Sequence, residues 1–190
     1  IAGAMALAGA SVVDAKVMTL TNGMVLDMFW IQDANGHAYA AKDRLKRLCA
    51  RIETALSGRL HSAKELAAAQ KSSLQKRTRE FKVPPRVLID NKASNRLTVI
   101  EINGRDRLGL LHDVTAFLTA SGLQILSAHI STYGERVVDV FYVKDVFGLK
   151  VDNEEKLKAL RTGLLDVVSL GTDPDRPPKK AKGAGGKMPK

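Results

Sequence analysis

An internal repeat limits the fold of this chain more than any other feature. Sliding Ile1 to Thr21 by 113 positions places Gly9 on Gly122, Val12 on Ile125, Val13 on Leu126, Ala15 on Ala128, Val17 on Ile130 and Thr19 on Thr132. One residue drops out at the next turn. An offset of 112 then places Val25 on Val137, Asp27 on Asp139, Phe29 on Phe141, Trp30 on Tyr142, Asp33 on Asp145 and Gly36 on Gly148. Agreement that includes an aromatic pair and a buried-looking Asp marks two copies of one module.

Each copy reads as helix, strand, tight turn, strand and a further helix. Asn22-Gly23 is a hairpin signal, and Gly134-Glu135 is a looser version of it. In copy one Leu45, Leu48, Cys49, Ile52 and Leu56 fall on one helical stripe, which makes Cys49 a core thiol. In copy two the stripe is Leu157, Leu160, Leu164 and Val168, with Asp152, Glu154 and Glu155 suited to the positive N-terminus.

Copy two has a segment that copy one lacks. Leu97 to Asn103 alternates in a β-rich run, and Gly104 to Gly109 interrupt it. Leu110, Leu111, Val114, Phe117 and Leu118 then share one face of a helix that Gly122 ends. Strand, Gly-rich turn and helix in that order leave backbone N–H groups uncovered at the positive end of the helix dipole, where a small carboxylate fits. Gly104 and Gly109 have the spacing of a phosphate loop, but Leu110 and Leu111 replace its Lys and Ser or Thr, which excludes a nucleoside triphosphatase. From the residues alone, Asp106 and the glycines also read as an N-cap and a tight turn. Ile1 aligns with Val114, inside the equivalent helix, so the chain is expected to continue upstream.

The net charge of +10 raises the question of nucleic acid. Arg59 to Arg86 carries +6 and the stretch from Gly171 onward +4, so the segments with core-like patterning are neutral overall. The excess reads as a solvated linker and a loose tail. A single cysteine excludes a disulfide framework or a cysteine metal site and suits an intracellular setting. No apolar run is long enough to span a bilayer. Residues 60–85 read as a basic, partly helical linker closed by Pro84-Pro85. Val87-Leu88-Ile89 then offers a strand that could return to copy one as its fourth. The parts are thus 1–59 plus 86–91, a truncated first module; 96–170, a second module lacking its own fourth strand; and 171–190, a disordered basic tail.

Strand-helix-strand-strand-helix-strand is the ferredoxin-like α+β order (βαββαβ). The module size, the pair of copies and the turn Asn103-Gly104-Arg105-Asp106-Arg107-Leu108-Gly109-Leu110-Leu111 resemble ACT domains, small-molecule sensor modules of amino-acid metabolism. Val87 to Ile102, that loop, and Ser127 to Val143 are similar, more closely, to the C-terminal end of the family of bifunctional uridylyltransferase and uridylyl-removing enzymes. That family modifies the PII nitrogen signal protein and senses glutamine through tandem ACT domains. Leu108 stands where the family usually has Pro, which bears on loop rigidity.

The resemblance implies a free amino acid, glutamine, between the loop and an edge strand of a neighbouring copy. Main chain at Asp106, Arg107, Leu108, Gly109 and Leu110 would hold its charged ends, with Asn103, Gly104 or Asp106 beside it. Val12, Val13 and Asp14, or Ile125, Leu126 and Ser127, would complete the pocket. It further implies a cytoplasmic setting, a possible ACT-mediated dimer, and upstream domains that carry magnesium-dependent nucleotidyl transfer and the hydrolase. No catalytic residue, metal ligand or cofactor is assigned to this segment. His112-Asp113 has the letters of a hydrolase metal pair but no second ligand cluster, and it reads as a polar helix position. His129 falls on the polar side of its strand; His37 and His61 lie in connections. The competing class is a ferredoxin-like assembly or nucleic-acid module that uses the basic linker and tail. RNA-reading sheets expose aromatics on central strands, whereas Phe29-Trp30 and Phe141-Tyr142 are adjacent pairs, one of each facing the core.

Overall fold

The structure is a computed structural model and describes residues 1–20, 22, 24–60, 62–73 and 83–170. In chain order its elements are α1 (Ala2–Leu7), β1 (Ser11–Thr19), β2 (Val25–Gln32), α2 (Lys42–Leu56), α3 (Ser62–Ser73), β3 (Arg86–Asp90), β4 (Thr98–Arg105), α4 (Leu110–Ala120), β5 (Leu123–Tyr133), β6 (Arg136–Asp145) and α5 (Glu154–Ser169). The strands form one antiparallel sheet in the order β2-β1-β5-β6-β4-β3. An α+β architecture follows directly.

Period-two patterning decides which face is covered. On β6, Val137, Asp139, Phe141 and Val143 are buried, and the residues between them lie on the opposite face. α4 lays Leu110, Val114 and Leu118 on the covered face, and α5 lays Leu160, Leu164 and Val168 there, in one core with Ile100, Ile102, Ala128 and Ile130. Asn153 caps α5: its Oδ1 accepts from the Lys156 N–H at 2.8 Å, and Glu154 and Glu155 follow in the first turn.

The turns after β2 and β6 repeat bond for bond. Asp33 Oδ1 accepts from the Asn35 and His37 N–H groups, as Asp145 Oδ1 does from those of Phe147 and Leu149. Gly36 and Gly148 share a φ of 81°. Strands β1 and β5 also carry a bulge at aligned positions, between Val12 and Asp14 and between Ile125 and Ser127.

Three expectations are corrected. The 86–91 segment does not return to the N-terminal half. β3 pairs with β4 across five residues, Arg86 opposite Asn103 to Asp90 opposite Val99, at the sheet edge farthest from β2. The cause is the short connection between them: Asp90 Oδ1 accepts from the Lys92 and Ala93 N–H groups, so the chain turns at once and pairs with itself. Lys150 Nζ fastens this turn by donating to the Asn91 and Ser94 carbonyls. β3 thereby occupies the slot beside β4 that a fourth strand of the C-terminal half would take.

The expected exposed connection from Leu60 to Phe81 is also partly structural. α3 packs against α1, whose Gly3, Ala4 and Met5 are buried, and Leu66 is 1% exposed. Residues 74–82, His61 and the 171–190 tail lie outside the described residues. Cys49, finally, is exposed rather than a core thiol. Of its expected stripe only Leu48 is buried, because α2 packs on α1 and has no strands beneath it comparable to β3 and β4 under α5.

Candidate functional site

Strand β4 runs straight through Gly104 and ends at Arg105, and the chain then climbs onto the helix layer. Gly104 has to be a glycine because a Cβ there would overlap Cγ1 of Val168 on α5. The loop is tied down at three points. The Asp106 N–H donates to the Glu135 carbonyl at 2.7 Å, Arg107 Nη1 meets Asp113 Oδ2 at 2.6 Å, and Arg107 Nη2 donates to the Val167 carbonyl at 3.1 Å. Arg107 thus joins the head of α4 to the last turn of α5, where a cation also complements the helix dipole.

Gly109 is the N-cap of α4 at φ 78°, a left-handed conformation that side chains disfavour. That glycine is the N-cap residue, so Asp106 is not the N-cap that its spacing suggests. The Leu110 N–H turns back to the Arg107 carbonyl at 3.1 Å, and the positive end of the α4 dipole lies at this loop. Thr132 continues the row across the sheet: Gly104 faces Val137, Val137 faces Thr132, and Thr132 Oγ1 donates to the Val12 carbonyl at 3.2 Å. Val12 therefore lies at the same level as the loop, about three strand spacings or 14 Å away.

The expected site residues divide accordingly. Asp106, Arg107, Leu108, Gly109 and Leu110 gather at the head of α4, and Val12 shares their level. Asn103 points the other way: on the helix-free face its Nδ2 donates to Glu101 Oε1 at 2.7 Å and its Oδ1 accepts from Arg136 Nη2 at 3.1 Å. Asp14 also occupies the helix-free face, opposite Trp30, with Val13 in the bulge between it and Val12. Ile125, Leu126 and Ser127 lie at the far end of β5, about 20 Å from Thr132, so they belong with the opposite end of the sheet. His112 and Asp113 occupy the first turn of α4 as a polar helix position, and Asp113 serves Arg107. His129 sits opposite Lys16, edge-on to Tyr142 at 6.3 Å. Among the described residues no three His, Cys, Asp or Glu side chains gather to hold a metal ion, and no helix is long and apolar enough to cross a membrane.

Asp139, which the repeat marks but to which the sequence assigns no site role, also lies here. It is buried on the helix-facing side of β6 beneath this loop, and burial pushes its carboxyl up to about 7; the Ser131 amide opposes that rise and Asp106 adds to it. Its signal was present as the aligned pair Asp27 and Asp139, each at the core parity of an otherwise apolar strand.

An antiparallel sheet that enters its helix through a glycine loop is consistent with a ferredoxin-like ACT domain, and residues 93–171 match the ACR family N-terminal ACT domain. The chain as a whole matches the C-terminal, ACT-bearing region of the bifunctional uridylyltransferase/uridylyl-removing enzyme. It is 54% identical over 165 residues to that enzyme of Gluconobacter oxydans, 87% of this chain and 17% of the relative. With the Azospirillum brasilense enzyme it shares 56% over 170 residues, 89% of this chain and 18% of the relative. The Rhodospirillum rubrum enzyme is 52% identical over 164 residues, 86% and 17%. The chain therefore spans less than a fifth of the length of these relatives.

Proposed function

We propose that this chain is the regulatory, glutamine-sensing segment of a cytoplasmic bifunctional enzyme that uridylylates and deuridylylates the PII protein. The observation that carries the reading is the loop Asp106 to Leu110, entering the positive end of α4 at a left-handed Gly109 N-cap, in a chain 54% identical over 165 residues to such an enzyme. The N-terminal half, residues 1–59, is in this reading a partial ACT module that sets β1 beside β5. Val12 then lies on the same row as the loop, about three strand spacings from it. Magnesium-dependent transfer and hydrolysis belong to other domains of the parent, and effector occupancy reaches them as a difference in affinity between two domain arrangements.

Isothermal titration of the 190-residue chain with L-glutamine tests this, with glutamate and a short single-stranded RNA beside it. Saturable heat with glutamine alone, abolished in Gly109→Val, is the expected result. Silence towards glutamine together with salt-sensitive RNA binding would overturn it in favour of a nucleic-acid module.

A further inference from the structure

At one level of the sheet a single row of facing residues crosses all six strands: Met28 on β2, Lys16 on β1, His129 on β5, Val140 on β6, Glu101 on β4 and Leu88 on β3. The row has helix-free parity, because Ala15, Ala128, Phe141, Ile100 and Val87 beside it are buried in the core under the helices. Met28, Lys16, His129 and Leu88 are exposed, as is Trp30 next to them. Lys16 and Glu101 join no ion pair among the described residues: Lys16 Nζ lies 5.8 Å from the Trp30 ring centroid, and Glu101 accepts from Asn103.

The order of that row makes the face complementary to itself. Counted outward from the line between β5 and β6, it reads His129, Lys16, Met28 one way and Val140, Glu101, Leu88 the other. A twofold axis along that line, laying a second copy's helix-free face on the first, sets each strand over the one equally far out on the other side. Lys16 then meets the partner's Glu101 and Met28 the partner's Leu88, each pair twice. Two residues along, Trp30 falls over the partner's Arg86, a cation for its ring. Moving the axis one strand either way sets Lys16 over His129 or leaves it overhanging, and an axis across the strands stacks Lys16 on itself. Sheets packed at about 30° displace β1 and β4 of the two copies by about 4 Å, which Lys and Glu side chains span.

We infer that the helix-free face of the sheet is a docking surface for a second copy of this chain, in a twofold dimer keyed by Lys16 against the partner's Glu101. Six strands and about six residues of each outline roughly 550 Å² per copy, over about 1,000 Å² in all, the size of a weak, reversible interface. The helices stay on the two outer layers, so the Asp106–Leu110 loop remains open in the dimer. The inference goes beyond the glutamine reading and does not depend on it.

The test is sedimentation equilibrium of the 190-residue chain, of Lys16→Glu, of Glu101→Lys and of an equimolar mixture of the two variants, each checked for native circular dichroism. The wild type should pass from monomer to dimer between about 1 and about 300 µM. Either variant alone sets like charges together twice and should weaken self-association about tenfold or more. The mixture restores both opposite-charge pairs and should associate within about threefold of the wild type, a rescue that a merely structural role of either residue would not give. Trp30 is the chain's one tryptophan, so its emission should shift to the blue as the wild-type dimer fills, and this reading stands even if Glu101→Lys does not fold. A chain that stays monomeric over this range overturns the inference. So does a dimer that a folded variant leaves intact, a mixture that stays monomeric, or a Trp30 emission that ignores dimerisation.

Discussion

α2 and α5 follow equivalent strand pairs and are 15 and 16 residues long, yet α5 buries Leu160, Leu164 and Val168 while α2 buries only Leu48. On α5, Leu160, Leu164 and Val168 reach the core, whereas on α2 Leu45 is exposed and Leu56 is 69% exposed. The difference lies under the helices. α5 rests on β3 and β4; α2 has α1 beside it and the sheet ends at β2. An apolar stripe is a helix's offer of a face, and the sheet decides whether the offer is taken.

That contrast can be broken most directly with paired truncations. Leu164→Ala should cost about 3–5 kcal/mol in urea denaturation, since it empties a fully buried site, and Leu45→Ala less than about 1 kcal/mol. Equal costs would mean that α2 docks as α5 does.

The aligned aspartates sharpen it further. Asp139 rises from 3.8 to about 7 on folding, chiefly by burial, so the folded chain holds the proton more tightly than the unfolded one. Stability should therefore fall as pH climbs from about 4 to about 7 and change little beyond, by up to about 4 kcal/mol. Asp139→Asn should remove that slope and raise the denaturation midpoint at pH 8. Asp27→Asn should do so to a smaller degree, because burial there is only partial. A midpoint at pH 8 unchanged by Asp139→Asn would refute the buried-carboxylate account.

Gly109→Ala forces a side chain into the left-handed region and is expected to cost about 1 kcal/mol, with a comparable loss of glutamine affinity; Gly9→Ala, at φ 70° with nothing within 4 Å, should cost similar stability but leave binding unchanged. The smallest effect concerns Cys49. Iodoacetamide should modify it in the native chain at the rate of an unfolded thiol, without moving the melting temperature, whereas slow labelling would place it back in a core.

Strand parity and the α4 and α5 faces were legible in the sequence because each rests on local spacing, and the repeat aligned Asp33 with Asp145 without showing the turn that each one closes. β3 was misplaced because its pairing depends on the turn at Asp90, which a repeat comparison does not see. Cys49 was misread because burial depends on strands far away in the chain. The loop was legible through its glycines, but the direction of Asn103 was not: parity puts it with Glu101 and Arg105, on the helix-free face, and no ligand argument built on residue type alone overrides parity. Asp139 was visible only once a polar residue at core parity was treated as a signal in its own right.

The joint between β1 and β5 has a kinetic consequence. Lys16 and His129 oppose each other there, and Val12 and Thr132 are bonded across 120 residues, while β5 and β6 meet through a two-residue turn. Closing a loop of that length costs on the order of 4 kcal/mol in chain entropy before any contact forms. The hairpin can form early and the joint comes late. By the same accounting the joint opens first, so amide exchange should release β1 before β6. If it does, the seam between β1 and β5 is also the softest line across the sheet.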